Sequence, residues 1–311
     1  MADGTGIEWT DATWQVTHGC SLVSPGCSNC YAMRMAARLQ AMGQKRYAGL
    51  TQPSKAGAVW SGVVRPCSDE TLAIPLRWKR PRRIFVDSMS DLFHEDVPDE
   101  HIDKVFAVMA LAPHHTFQVL TKRSARMQRW FASWPSGAAR HHHIRSAVHA
   151  LLRPRGDWSS RDPEWQKSID AIDGCWPLPN VWLGVSVEDQ QRADERIPDL
   201  LATLAALRFI SAEPLLGPVV LDPLWLTASP SAAFASGEVT AHMPDWTRIG
   251  AHALDWVIAG GESGPRRRPV NPDWLRSLRD QCAAAGVAFF AKQLDKVAPI
   301  PPDLMVREFP A

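Results

Sequence analysis

The sequence predicts an α/β protein built on parallel strands, a full or partial (β/α) TIM-type barrel. Two observations predict it. Short, nearly continuous apolar runs recur along the 311 residues, the pattern of strands buried on both faces. Helical patterns lie between several of these runs, and three of the strand-to-strand intervals are close to the ~30 residues of a βαβ unit. A doubly wound open sheet has the same local grammar, so the runs alone leave both architectures open.

In chain order, the first strand is read at Trp14-Gln15-Val16-Thr17. The next runs are Ile84-Phe85-Val86, Phe117-Gln118-Val119-Leu120 and Val181-Trp182-Leu183-Gly184-Val185. Arg208-Phe209-Ile210, Trp256-Val257-Ile258-Ala259 and Ala288-Phe289-Phe290-Ala291 complete the set. Between them, Ile102, Val105, Phe106 and Met109 recur at helical spacing after Asp99. Asn271 reads as a helix cap and Pro272 as the first helical residue, with Leu275, Leu278 and Cys282 on one face and Gly286 as the stop. Two longer intervals, about 131–178 and 222–252, are read as loop insertions in one domain spanning 1–311.

Composition narrows the class. Hydrophobic residues at 45% and charged residues at 22% suit a globular core, in which most of the fourteen tryptophans are expected to pack. No apolar run reaches the roughly 18 residues of a membrane span, so no membrane partner is expected. The opening Met1-Ala2-Asp3-Gly4-Thr5-Gly6 has no basic and apolar leader, which points to the cytoplasm and to reduced or metal-bound cysteines. A net charge of +1 excludes a globally basic surface. Local basic clusters remain at Arg77–Arg83, Lys122-Arg123 and Arg266-Arg267-Arg268.

Cys20, Cys27 and Cys30 follow the first strand in a Cys-x6-Cys-x2-Cys spacing. Three clustered thiolates without a close fourth suit a [4Fe–4S] cluster with one iron left open. Zinc is the competing reading, completed by His18 or by a distant Cys67 or Cys175. Cys30 stands where a helix should begin, capped by Ser28 or Asn29, with Tyr31, Met35, Leu39 and Met42 on one face and Gly43 as its end. A helix N-terminus favours anionic ligands nearby. Gly19 and Gly26 would let a bulky cofactor approach the backbone.

The residues just after the proposed strands are polar: Asp87, Ser88, Ser90 and Asp91; Thr121, Lys122 and Arg123; Ser186 and Glu188; Ser211 and Glu213. Gly260-Gly261-Glu262-Ser263 and Lys292-Gln293 follow the last two. In a barrel of this kind such residues converge on the catalytic face. Lys292 can equally be a core charge paired with Glu213 or Glu262.

Ile7-Glu8-Trp9-Thr10-Asp11-Ala12-Thr13-Trp14, the cysteine loop ending Asn29-Cys30-Tyr31-Ala32, and Ser90-Asp91-Leu92-Phe93-His94 resemble a phage-associated three-cysteine family of unknown function. Leu120–Arg123, Gly184–Glu188, Ser211–Leu215 and Val257–Gly264 extend the resemblance over nearly the whole chain apart from the insertions. That family is similar to radical S-adenosylmethionine enzymes. The resemblance implies a radical-SAM-like partial barrel with Cys20, Cys27 and Cys30 on the cluster, S-adenosylmethionine on its open iron, and an electron donor as partner. Ser88, Ser90 and Asp91 would then meet the methionine end of the cofactor, and Ser186 and Glu188 its ribose. Lys122, Glu213, Glu262 and Lys292 would face a substrate, with Lys122 and the 266–268 arginines suggesting a nucleotide or nucleic acid. Two features depart from the superfamily: its cysteine spacing is Cys-x3-Cys-x2-Cys, and its Gly-Gly-Glu segment follows the second strand rather than a late one. The alternatives are a non-redox zinc-binding protein, or an iron–sulfur repair or electron-transfer protein without S-adenosylmethionine chemistry.

Overall fold

The computed structural model describes residues 2–55, 57–133, 143–148, 151, 176–227, 253–264, 266–295 and 297–310. The insertion expected at 222–252 lies almost wholly outside the described residues, as do most of 131–178 and Cys175.

Among the described residues there are twelve strands: β1 (Ala2–Asp3), β2 (Ala12–Trp14), β3 (Thr17–His18), β4 (Thr51–Ser54), β5 (Gly57–Trp60) and β6 (Arg65–Pro66), then β7 (Arg83–Val86), β8 (Thr116–Thr121), β9 (Val181–Ser186), β10 (Leu207–Ala212), β11 (Trp256–Gly260) and β12 (Ala288–Gln293). Eight of them form one sheet in the order β1-β2-β7-β8-β9-β10-β11-β12. β1 joins antiparallel, and the other seven form a parallel series. Within this sheet, spatial order follows chain order without reversal. A doubly wound sheet reverses at a switch point, so that architecture is excluded. The fold is mixed α/β, with an eight-stranded sheet that has β1 and β12 at its ends and seven parallel strands from β2 to β12.

The expected first strand is two strands. β2 pairs with β7 in the main sheet, whereas β3 leaves it to pair with β6. The break has a cause distant in sequence: the Asp87 carboxylate accepts from the backbone N–H groups of Val16 and Thr17, at 2.8 and 3.0 Å. The other strands lie where their apolar runs do, and several extend into the polar residues behind them, so that Thr121, Ser186, Ser211, Lys292 and Gln293 are strand residues.

The contacts divide the chain into two compact units. The first holds Met1–Ser21, Ala32–Val119 and Arg126–Trp182. Its core is aromatic: Phe106 packs on Trp130, Phe131 and Trp176, and Trp130 also meets Phe93. The helix Asp99–Leu111 buries Ile102, Val105, Phe106 and Met109, as its spacing requires. The helix Tyr31–Ala41 begins directly after Cys30, but its buried residues are Ala32, Met33 and Ala36, while Tyr31, Met35 and Met42 are exposed. Its packed side thus combines two alanines with Met33.

The second unit holds Leu22–Tyr31, Leu120–Ala125 and Leu183–Ala311. The helix Pro272–Ala285 packs on β11 and β12 through Leu275, Leu278 and Cys282. Asn271 caps it by accepting from Asp273 N, and Gly286 ends it at φ 69°, a left-handed stop that favours glycine. A second helix, Gln190–Leu201, is capped by Asp189 and carries the buried Arg196. Gly184 in β9 faces Phe209, whose ring carbons would lie 2.5 Å from an added Cβ.

Candidate functional site

In the first unit, polar groups at the ends of β2 and β7 organise the approach to Cys20. Asp87 is buried and takes a left-handed φ of 60°, uncommon outside glycine. Its carboxylate accepts from Val16 N, Thr17 N, Thr17 Oγ1 (2.7 Å) and Gln15 Nε2 (3.1 Å). Burial pushes its pKa up to about 6, against the lowering effect of those bonds. Ser90 donates to Thr17 O at 2.9 Å and bridges to Gly19. Asp91 is buried and accepts from Phe93 N at 3.1 Å, while Ser88 is half-buried. His94 Nε2 meets Ser21 Oγ at 2.8 Å. Gly19, directly before Cys20, has φ 94°, and a Cβ there would stand 2.1 Å from Val63 O. Glycine is required at that position for both reasons.

Cys67 Sγ lies 3.1 Å from His18 Nδ1 and 3.4 Å from Gln15 O. Burial holds His18 down at about 4 and pushes the Cys67 thiol up to about 12, so this pair is neutral near pH 7.

In the second unit, the segment carrying Cys27 and Cys30 rests on the ends of β9 and β11. Its own regular structure is one 3-10 turn, Pro25–Cys27. Glu188, wholly buried, accepts from Arg196 Nη1 at 2.9 Å and from Gly26 N at 3.4 Å. Burial raises its pKa, but the charges of Lys122 and Arg196, with bonds from Ser24 and Arg196, outweigh that and leave it lowered. Glu262 accepts from Asn29 Nδ2 (2.8 Å), Arg268 N (2.7 Å) and the Arg268 guanidinium. Arg268 also donates to Pro25 O at 3.0 Å, and Asn29 to Arg266 O at 2.9 Å. Gly261 shares only the steric constraint of Gly19, since a Cβ on it would stand 2.0 Å from Leu294 O.

At the ends of β10 and β12, Lys292 Nζ binds both oxygens of Glu213, at 2.6 and 2.8 Å, and Gln293 Nε2 reaches Glu213 Oε1 at 3.3 Å. Of the two partners the sequence allowed for Lys292, Glu213 is the one it takes. Two of the three arginines in the 266–268 run are also engaged by carboxylates, Arg267 with Asp295 and Arg268 with Glu262.

Cys20 belongs to the first unit, Cys27 and Cys30 to the second, and all three are half-buried. Among the described residues no disulfide forms, and no group of three or more His, Cys, Asp or Glu is arranged to hold a single metal ion. A single-ion centre needs its ligands around one point, whereas a cubane takes each thiolate on a different iron. The donor set of three thiolates, with glycines beside two of them, fits the cluster chemically. Sequence reasoning passed over Gln15 and Arg196; it named Asn29 only as a candidate helix cap and Arg268 only within the basic 266–268 run, whereas both bind Glu262.

Residues 4–301 match the family described as "Protein of unknown function (DUF5131)", and the chain belongs to that family. No curated protein and no solved structure matches the chain significantly. No described helix is long and apolar enough to cross a membrane.

Proposed function

We propose that the chain is a radical-SAM-like iron–sulfur enzyme, a partial (β/α) barrel in which Cys20, Cys27 and Cys30 hold a [4Fe–4S] cluster. The observation that carries the reading is the Cys-x6-Cys-x2-Cys loop that follows β2 and β3, β2 being the first parallel strand of a sheet whose strands follow chain order. When bound, the cluster would supply an iron site for S-adenosylmethionine and the electron for its reductive cleavage. An external electron donor is the implied partner. The chain's own residues orient and shield these groups.

Among the strand-end residues, Glu213 and Lys292 are the best candidates to face a substrate. Their ion pair is partly exposed, at 18% and 17%, and one of the three Lys292 donors is not used by Glu213. Lys122, beside Glu188, is the basic residue that favours a nucleotide or nucleic-acid substrate. That substrate class rests on the basic character of Lys122 and of the 266–268 run, in which Arg267 and Arg268 pair with Asp295 and Glu262.

Anaerobic reconstitution followed by metal analysis tests the reading. About four irons and matching sulfide per chain are expected, and addition of dithionite with S-adenosylmethionine should release 5′-deoxyadenosine. One zinc and no chromophore would replace the reading with the zinc-binding alternative. A full cluster that never cleaves S-adenosylmethionine would leave an iron–sulfur repair or electron-transfer protein.

A further inference from the structure

We infer that Asn29, Glu262 and Arg268, together with Glu188 against Gly26, clamp the segment Ser24–Cys30 and so position Cys27 and Cys30 for their cofactor. The positioning role rests on the cluster reading above, whereas the clamp itself rests on hydrogen bonds within the second unit.

The segment needs an external hold. Its internal backbone bonds are three short-range contacts: Cys27 N to Ser24 O, Ser28 N to Pro25 O and Cys30 N to Cys27 O. Turns of this length are marginal alone, because each bond orders several backbone torsions. Side chains from two strand ends supply the rest. Glu188 takes Gly26 N and a side-chain bond from Ser24. Arg268 takes Pro25 O, and Glu262 takes Asn29. Four of the six residues from 24 to 29 are thereby tied to the ends of β9 and β11.

Lone-pair arithmetic separates a clamp from a ligand site. An ionised carboxylate offers about four acceptor positions. Glu262 Oε1 receives Arg268 Nε and Nη2, and Oε2 receives Asn29 Nδ2 and Arg268 N. All four are filled by the chain itself, leaving none for an ammonium or hydroxyl of a bound molecule. The amide nitrogen of Asn29 is saturated in the same way, with one proton on Glu262 and one on Arg266 O. Glu188 is 0% exposed and lies so close that a Cβ on Gly26 would stand 3.1 Å from its carboxyl carbon. Both carboxylates are positioning residues, where the sequence assigned one to the cofactor's ribose and the other to the substrate.

The test uses full-length wild type, Asn29→Ala and Glu262→Gln. Asn29→Ala removes the loop's side of the clamp without stranding a buried charge, since Arg268 still pairs with Glu262. Amide hydrogen exchange of apo-protein peptides covering 22–31 reads the clamp without any cofactor. Iron and sulfide content after reconstitution, with the electron paramagnetic resonance line shape of the reduced cluster, reads positioning. Exchange about tenfold faster or more is expected in this segment alone, as for loss of a charge-assisted bond, with far-ultraviolet circular dichroism unchanged. Iron content should fall to less than about half of wild type at limiting iron, with an altered line shape. Unchanged exchange in both variants overturns the clamp. Faster exchange with wild-type iron content and line shape overturns its positioning role. A wild type that takes up no iron while its loop stays protected removes the cluster reading and leaves the clamp standing as a loop anchor.

Discussion

Replacing Arg196 by Met should expose how strongly the second unit depends on one buried ion pair. Arg196 is 4% exposed and Glu188 0%. The guanidinium supplies two bonds, to Glu188 Oε2 at 2.9 Å and to Ser186 O at 2.7 Å. Met keeps the stem's apolar contacts on the helix Gln190–Leu201 but removes both donors. Glu188 would then keep Gly26 N, Ser24 and the charge of Lys122. Removing one partner of a buried pair costs about 3–5 kcal/mol. The remaining donors place this case near the lower end, about 3 kcal/mol, or roughly 6–12 °C in Tm. Urea unfolding followed by tryptophan fluorescence is the assay. The Arg196→Met, Glu188→Met double variant should recover at least half of the loss, because the buried pair is then removed as a whole. The penalty should also depend on pH. Glu188 is depressed below its ordinary 4.5, so the stability it contributes is present above that value and is lost as pH falls through its folded pKa. The difference between wild type and Arg196→Met must therefore narrow below about pH 4.5. A loss under about 1 kcal/mol, or a double variant weaker than the single, would refute the reasoning.

Two further expectations concern the first unit. Gly19→Ala forces a Cβ to 2.1 Å from Val63 O at φ 94°, and should cost roughly 2–4 kcal/mol in urea unfolding. Gly62→Ala, at φ 88° but in open space, should cost only about 1–2 kcal/mol, and equal losses would show that the contact with Val63 is immaterial. His18 is held neutral down to about 4 by burial, against 6.5 when unfolded. The stability gained by keeping it neutral is full above pH 6.5 and is lost toward pH 4, because the unfolded chain takes the proton first. Between pH 7 and pH 4 wild type should lose about 3 kcal/mol more than His18→Asn, and parallel profiles would refute this.

The strands were legible because burial on both faces leaves an unambiguous apolar run, as in Trp256–Ala259 and Val181–Val185. The helix from Pro272 was legible down to its cap and stop, since Asn271 and Gly286 act through local backbone geometry. The break after Trp14 was not legible. It depends on Asp87, more than seventy residues away, competing for the N–H groups of Val16 and Thr17. The orientation of the Tyr31–Ala41 helix was equally hidden. Periodicity groups Tyr31, Met35, Leu39 and Met42, but the packed side prefers Ala32 and Ala36, and no local rule announces that choice. At the candidate site, the cysteines and the strand-end carboxylates were legible as residues. Their roles were not, because a carboxylate that binds a ligand and one that binds the chain are identical in sequence.

That ambiguity has a physical resolution in the number of acceptors already filled. Polar residues behind parallel strands are expected to serve ligands, but a cysteine loop with little regular structure must also be held, and the same strand ends carry the groups within reach. The carboxylates behind β7, β9 and β11 bond to loop backbone or to Asn29. The one behind β10 instead pairs with Lys292 from β12. Glu213 receives three hydrogen bonds from Lys292 and Gln293 against about four acceptor positions, and Lys292 commits two of its three protons to it. Both sit at partial exposure, where a bound molecule can compete for them at lower cost than at the fully buried Glu188. Saturation and burial together divide the two sets: Asp87 and Glu262 are filled by the chain and Glu188 is wholly buried, whereas Glu213 and Lys292 stay partly exposed, with one Lys292 proton outside their pair.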